Sequence, residues 1–373
     1  MAPKKSVQLS GVVVAESSIS SIDAERGVLM YRGYDITDLA EHGTYEEVAY
    51  LLLEGDIPDG AQLDKFCEEL SARELPRGAA GIIDDNAGDA TPMEMLRTAV
   101  SALSFADPAE AATDATNERR KAASLVALLP TIVARHHRRR HGLEPIDPDP
   151  SLSYAENFLT MLRGEAPTEQ EARAFEVAMI VHAEHEMNAS TFTARVVAGT
   201  NSDLHSAIVA AICALKGPIH GGANELAMEL FEEIGAPDRA PEAVRERFEG
   251  HGKIFGFGHP VYTTLDPRAA ILKQWSHAFS TEAGEPNWYA ITEAVETAVK
   301  EQKGLWANVD LYSGSLYRYL GIPNDLFTPL FECSRVAGQA AHVLEQRANN
   351  KIIRPAADYV GPEPRQYPVA SRS

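Results

Sequence analysis

The chain has 373 residues, 45% hydrophobic, 24% charged and 7% aromatic; this is a globular composition that excludes a mostly disordered chain, and at about 150 residues per domain it suggests roughly two domains. Acidic residues number 54 against 34 basic ones, a formal net charge of −20. That balance argues against a nucleic-acid binder, which needs a cationic field for phosphates, and against docking on anionic lipid through a basic surface; it fits a solvated acidic surface, as in a salt-rich cytoplasm.

In chain order, Met1-Ala-Pro-Lys-Lys5 lacks the apolar stretch of a secretory signal. The most strand-like run is Val12–Val14, with Val28–Tyr31 as its expected partner. Thr44 to Glu47 spells a capping box ahead of Val48, Leu51 and Leu52 at helical spacing. Asp84 to Thr91 reads as a loop, and so does Gly142 to Pro150. Between them the run Arg135 to His141 reads as the cationic end of a helix, complementing its dipole, in preference to a phosphate site. Thr168 to Glu171 repeats the capping box before a helix with Phe175, Ala178, Met179 and His182 on its apolar side. Asp203 to Leu215 is a further apolar helix stopped by Gly217-Pro218. Glu293 to Lys303 and Phe331 to Gln346 are also helical, and the tail after Gly361 is extended. There is no β-α-β alternation, which excludes a doubly wound nucleotide fold, and no apolar run approaches the ~20 residues of a membrane span.

Cys67, Cys213 and Cys333 are widely spaced and form no C-x-x-C pair, which favours a reducing cytosol over a disulfide framework or a thiolate zinc site. Phosphate-cradling and nucleophile-elbow motifs are absent. Histidines beside glycines stand out instead, in Gly217-Pro-Ile-His220-Gly-Gly-Ala-Asn224 and Gly256-Phe-Gly-His259-Pro260. A helix N-terminus disfavours the imidazolium, so His220 is either a neutral hydrogen-bond donor to a ligand or a mere cap. His259 lies in a turn that cannot be regular helix, either held over a ligand or simply exposed. Asp310, among Trp306, Val309, Leu311 and Tyr312, is either a base strengthened by partial burial or the cap of a helix beginning near Leu311. His182 and His185 are spaced to share a helix face. They match neither H-E-x-x-H nor H-x-x-E-H, and with no third ligand specified no metal site is expected. Arg268, Arg335 and Arg354 are salt-bridge residues or, acting together, a grip for a substrate with several carboxylates.

These segments, in order, resemble the citrate synthases, including the related 2-methylcitrate synthases. The resemblance runs from Tyr31-Arg-Gly-Tyr-Asp-Ile36 and Tyr45 to Leu53 through His182-Ala-Glu-His-Glu-Met-Asn-Ala-Ser-Thr191, Gly217 to Glu225 and Gly256 to Arg268. It ends with Asn308 to Gly314, the segment around Arg335, and Lys351-Ile-Ile-Arg-Pro355. It implies an all-α, mainly helical two-domain fold with minor N-terminal β structure. The large domain would comprise residues 1–221 and 322–373 and the smaller inserted helical domain residues 222–321, with two chains forming a homodimer. It implies condensation of acetyl-CoA with oxaloacetate and hydrolysis of the thioester to citrate and CoA, the entry to the tricarboxylic acid cycle. Propionyl-CoA, giving 2-methylcitrate, is the alternative. Asp310 would be the base, His220 the stabiliser of the enol or enolate, and His259 the residue polarising the oxaloacetate ketone. His185, Arg268, Arg335 and Arg354 would bind oxaloacetate, with Arg354 reaching in from the partner subunit, while Ile254 and Gly256 would lie against CoA. Acyl-CoA is then a co-substrate and no cofactor is permanently bound. Two departures are visible: Pro260 and Thr263 stand where many members carry Arg and Lys, and Gln339 where an aromatic is usual. Two other classes compete: a histidine-based metallohydrolase, which metal analysis would separate, and a non-catalytic helical binding protein, which would be free to lose the three catalytic side chains.

Overall fold

The computed structural model describes residues 9, 11–281 and 287–367. The described residues form sixteen α-helices and one small antiparallel sheet, so the mainly helical expectation holds. The sheet comes first, with β1 (Ser20–Asp23), β2 (Val28–Tyr31) and β3 (Tyr34–Asp35) adjacent in that order.

The expected strand at Val12–Val14 does not form; the segment has neither helix nor strand and Val13 is 88% exposed. The partner of β2 is β1, with Ser20 opposite Tyr31. Turn chemistry overrides β-propensity here. The Asp23 carboxylate accepts from the backbone N–H groups of Glu25 and Arg26 at 3.2 and 2.9 Å, and Gly27 supplies a φ of +64°.

The helices are α1 (Ile36–His42), α2 (Tyr45–Glu54), α3 (Gly60–Ser71), α4 (Arg77–Asn86), α5 (Pro92–Leu103), α6 (Ala115–Arg140), α7 (Tyr154–Arg163) and α8 (Glu169–His182). There follow α9 (Ala189–Ala198), α10 (Leu204–Leu215), α11 (Ala223–Ile234), α12 (Ala240–Glu249), α13 (Pro267–Ser280), α14 (Trp288–Lys303), α15 (Val309–Tyr319) and α16 (Phe327–Ala348). The capping boxes at Thr44 and Thr168 both form. Of the expected loop from Asp84 to Thr91, residues 87–91 are non-helical, but Asp84 to Asn86 form the last turn of α4, because Ile83 is buried and Asp84 is fixed by Arg135 at 2.8 and 2.6 Å. Arg135 to Arg140 do close α6, and the cations find carboxylates: Arg139 meets Asp84 at 3.2 Å and Arg140 meets Asp325 at 2.6 Å.

Helix α16 is the axis of the core. It packs against α2, α5, α6, α8, α9, α10 and α11, and a helix surrounded in this way should be apolar on all sides. It is not: Glu332, Arg335, Gln339 and His342 are all buried along it. Spaced at three and four residues, they form one polar stripe along a helix whose other buried positions are mostly apolar. A second packed group joins α13 to α15, with α14 against both and α11 against α15. No helix among the described residues is long and apolar enough to cross a membrane.

Candidate active site

The helix α8 stops at His182, so His185 does not share its face as the spacing suggested. Instead it sits in the turn that follows. There its Nε2 lies 3.2 Å from the Tyr262 hydroxyl, and its ring meets that of His259 edge-on at 5.0 Å between centroids. Burial, then the nearby Arg268 charge, keeps His185 well below the ordinary histidine range.

His259 has a defined tautomer. Its Nδ1 accepts the backbone N–H groups of Val261 and Tyr262 at 3.0 and 3.1 Å. A backbone N–H only donates, so Nδ1 carries no proton and Nε2 is the N–H donor. Burial, reinforced by Arg268, lowers its pKa to about 4. At neutral pH it is therefore an uncharged donor.

His220 precedes α11, whose N-cap is Gly222. Its Nε2 accepts the Ser190 backbone N–H at 3.3 Å and lies 2.9 Å from the Ser190 hydroxyl. By the same logic the proton sits on Nδ1. Burial, then the Arg335 charge, lowers its pKa to about 4. Gly221 is required by packing: a Cβ there would lie 2.6 Å from Leu215 Cγ.

Asp310 is in the first turn of α15, but the cap is Asn308, whose side chain accepts the Asp310 backbone N–H at 3.0 Å. The cap reading of Asp310 is thus corrected. Its own Oδ1 is shielded from solvent and has no hydrogen-bond partner among the described residues. Burial pushes the carboxyl up to about 7, with Arg268 opposing and Asp266 adding to the shift. A carboxylate so raised is a stronger base at neutral pH than an exposed one. Asn308 also ties this helix to the His259 turn, donating from Nδ2 to Gly258 O at 2.9 Å, while Phe257 pairs with Ala307.

Two guanidiniums complete the arrangement. Arg335 is 1% exposed. Its Nε donates to His182 O at 2.6 Å, its plane lies 4.7 Å over the Phe331 ring, and its Nη2 has no partner among the described residues. Burial lowers its pKa to about 10, so it stays charged. Arg268 is held by Asp266; burial acts to lower the guanidinium pKa, but Asp266, with Tyr262 and Tyr31, raises it. Arg268 acts electrostatically on Asp310, His185 and His259, and Arg335 on Asp310, His185 and His220. A buried cationic centre facing two neutral N–H donors and one basic carboxylate suits an anion with a carbonyl group.

Of the remaining candidates, Ile254 is buried in the core, and Gly256 takes a φ of +87° with a would-be Cβ 2.9 Å from Leu311 Cδ1. Arg354 is exposed on the segment 351–367, which has neither helix nor strand. Among the described residues the one cluster with metal-like spacing is Asp107, Glu110 and His205, which includes neither His182 nor His185. Ser190, Tyr262, Asp266 and Glu184 were not singled out from the sequence. All four lie inside segments that carry the resemblance, Glu184 and Ser190 within His182 to Thr191 and Tyr262 and Asp266 within Gly256 to Arg268, but nothing local to any of them marks its contacts across the fold.

Comparison with known proteins gives the family. The family model for the citrate synthase C-terminal domain matches residues 8–356. Citrate synthase of Haloferax volcanii is 46% identical over 95% of this chain and 95% of its own. The 2-methylcitrate synthase of Shewanella oneidensis is 42% identical over 98% and 97%. Among solved structures, citrate synthase of Thermoplasma acidophilum in a ternary complex with carboxymethyl coenzyme A and oxaloacetate superposes with a TM-score of 0.92 at 34% identity, covering 99% of this chain and 100% of that one. Citrate synthase of Pyrobaculum aerophilum gives 0.89 at 43%, over 96% and 93%. The chain belongs to the citrate synthase family and is an acyltransferase-type enzyme of that kind.

Proposed function

We propose that the protein condenses acetyl-CoA with oxaloacetate and hydrolyses the resulting thioester, releasing citrate and CoA. The observation that carries this reading is the pairing of one carboxylate raised to about 7 with two imidazoles lowered to about 4, each imidazole with its tautomer set by backbone donors. Asp310 takes a proton from the acyl α-carbon while His220 Nδ1–H stabilises the oxygen that gains charge. The new carbon nucleophile attacks the ketone of oxaloacetate, whose oxygen is met by His259 Nε2–H. Water then cleaves the thioester, and CoA leaves as the thiol. His185, Arg268 and Arg335 bind the oxaloacetate carboxylates, and Ile254 and Gly256 border the CoA path.

We further propose the division into a large domain, residues 1–221 and 322–373, and a small one, residues 222–321. The mutual packing of α11, α13, α14 and α15 supports it. The working form is a homodimer in which Arg354 completes the partner's oxaloacetate site, a role open to it because it lies exposed outside the packed core. The three free cysteines suit a cytoplasmic location.

Propionyl-CoA is the second reading. It is supported by the Shewanella relative. One methylene is worth about 1–3 kcal/mol in an apolar pocket, so the test is the ratio of kcat/KM for the two acyl-CoAs, followed by thiol release with oxaloacetate. A ratio favouring acetyl-CoA by about tenfold or more supports the first reading, and the reverse supports the second. No thiol from either rejects both.

A further inference from the structure

Glu332 and Gln339 belong to the buried polar stripe of α16 but take no part in the chemistry above. Both are 0% exposed. They lie two turns apart on one face, where Gln339 Nε2 donates to Glu332 Oε2 at 3.2 Å and to Ser190 Oγ at 3.3 Å. Ser190 Oγ lies 2.9 Å from His220 Nε2 and 2.8 Å from Asn188 Oδ1. The chain of contacts therefore runs from a buried carboxyl through an amide and a hydroxyl to the imidazole. The remaining oxygens, Glu332 Oε1 and Gln339 Oε1, have no partner among the described residues. The amide is thus oriented by its two N–H contacts.

The Ser190 hydroxyl has one proton and faces two acceptors. Given to Asn188 Oδ1, that proton leaves the hydroxyl oxygen free to accept from an Nε2–H, a state in which the long 3.3 Å contact from the Ser190 backbone N–H to Nε2 is lost and His220 Nδ1 carries no proton. Given to His220 Nε2, it keeps Nδ1 protonated. The Gln339 N–H favours the second arrangement. It occupies one lone pair of Ser190 Oγ and polarises the O–H bond, which makes the hydroxyl a better donor and a poorer acceptor for a second N–H. Glu332 takes the amide's other N–H and so turns Nε2, not Oε1, towards Ser190. Burial pushes the Glu332 carboxyl up to about 8. Near neutral pH it is largely uncharged and fixes the amide without drawing His220 towards the imidazolium.

We propose that Gln339, oriented by Glu332, is a positioning residue that sets the Ser190 hydroxyl and keeps His220 in the Nδ1–H tautomer. The inference rests on the reading of His220 as the donor to the thioester oxygen. Its test compares Gln339→Leu, Glu332→Leu and Glu332→Gln; the last keeps an oxygen to accept the amide. The first readout is the pair of ¹⁵N shifts of the His220 ring in the enzyme without substrate. Wild type and Glu332→Gln should show a protonated Nδ1 and a bare Nε2, and both leucine variants should move Nε2 towards the protonated value. The second readout is kinetic: kcat should fall about tenfold in the leucine variants and recover in Glu332→Gln, with the KM for oxaloacetate unchanged. An unaltered tautomer in both leucine variants, or a fall in kcat that Glu332→Gln shares in full, overturns the proposal. Should wild type release no thiol, the acyl-transfer reading fails by itself, while the ring shifts still decide the positioning role.

Discussion

Asp266 grips Arg268 with both carboxylate oxygens, Oδ1 on Nε at 2.9 Å and Oδ2 on Nη2 at 2.7 Å, and both side chains are almost wholly buried. The same Oδ2 accepts the Val309 backbone N–H at 3.2 Å. One carboxylate therefore anchors a proposed oxaloacetate arginine and the start of the helix that carries Asp310. Asp266→Ala strands a buried guanidinium, so unfolding by urea should show a loss of about 3–5 kcal/mol. The KM for oxaloacetate should rise by about tenfold or more. A loss below about 1 kcal/mol with an unchanged KM would count against this anchoring role.

As the proposed base, Asp310 predicts the acid limb of the pH profile. Only the ionised carboxylate can take the α-proton, and its pKa lies at about 7. The histidines, at about 4, are already neutral across this range. Turnover should therefore climb about tenfold per unit below pH 7 and level off above it. A flat profile between about pH 5 and 7 would contradict the assignment.

The same shift has a stability consequence. The folded pKa of Asp310 is raised from 3.8 to about 7, so the native state holds the proton longer than the unfolded chain. Its contribution to stability is present at low pH and is lost as pH rises between those two values. Asp310→Asn carries no such penalty. It should be more stable than wild type at pH 8, by on the order of 2–4 kcal/mol, with the gap closing near pH 4. Equal midpoints of urea unfolding at both pH values would reject the burial argument.

Gly256→Ala should lower turnover more than it lowers stability. The alanine would have to adopt a φ of +87° and place its Cβ 2.9 Å from Leu311 Cδ1 and 3.1 Å from Leu311 Cα. Relief moves the N-terminal turn of α15, and with it Asp310. We expect a loss of about 1–2 kcal/mol in folding and a larger loss, about 10²-fold, in kcat. Normal turnover in this variant would mean that the approach of Gly256 to α15 does not position the base.

What the sequence revealed followed from how local the causes are. The capping boxes at Thr44 and Thr168, and the helix end at Arg135 to His141, are settled within a few residues and were legible. The Val12–Val14 strand misled because β-propensity says nothing about where a partner lies, and the Asp23–Gly27 turn brought in Ser20–Asp23 instead. His182 and His185 misled because their spacing cannot reveal that α8 stops between them. His220 and His259 were visible as His-Gly turns, whereas their tautomers depend on Ser190, Val261 and Tyr262. Arg268 was visible, but its burial against Asp266 was not. Contacts between distant segments set the protonation states, and a single sequence carries little trace of them.

The most direct test is to follow ¹³C-labelled acetyl-CoA mixed with oxaloacetate by NMR, for wild type and for Asp310→Asn, near pH 7. Wild type should build the label into citrate as CoA is released, and the asparagine variant should do so at least about 10³-fold more slowly while still unfolding cooperatively. Citrate formed by Asp310→Asn at close to the wild-type rate, or labelled acetate appearing from wild type with no new carbon–carbon bond, would contradict the account.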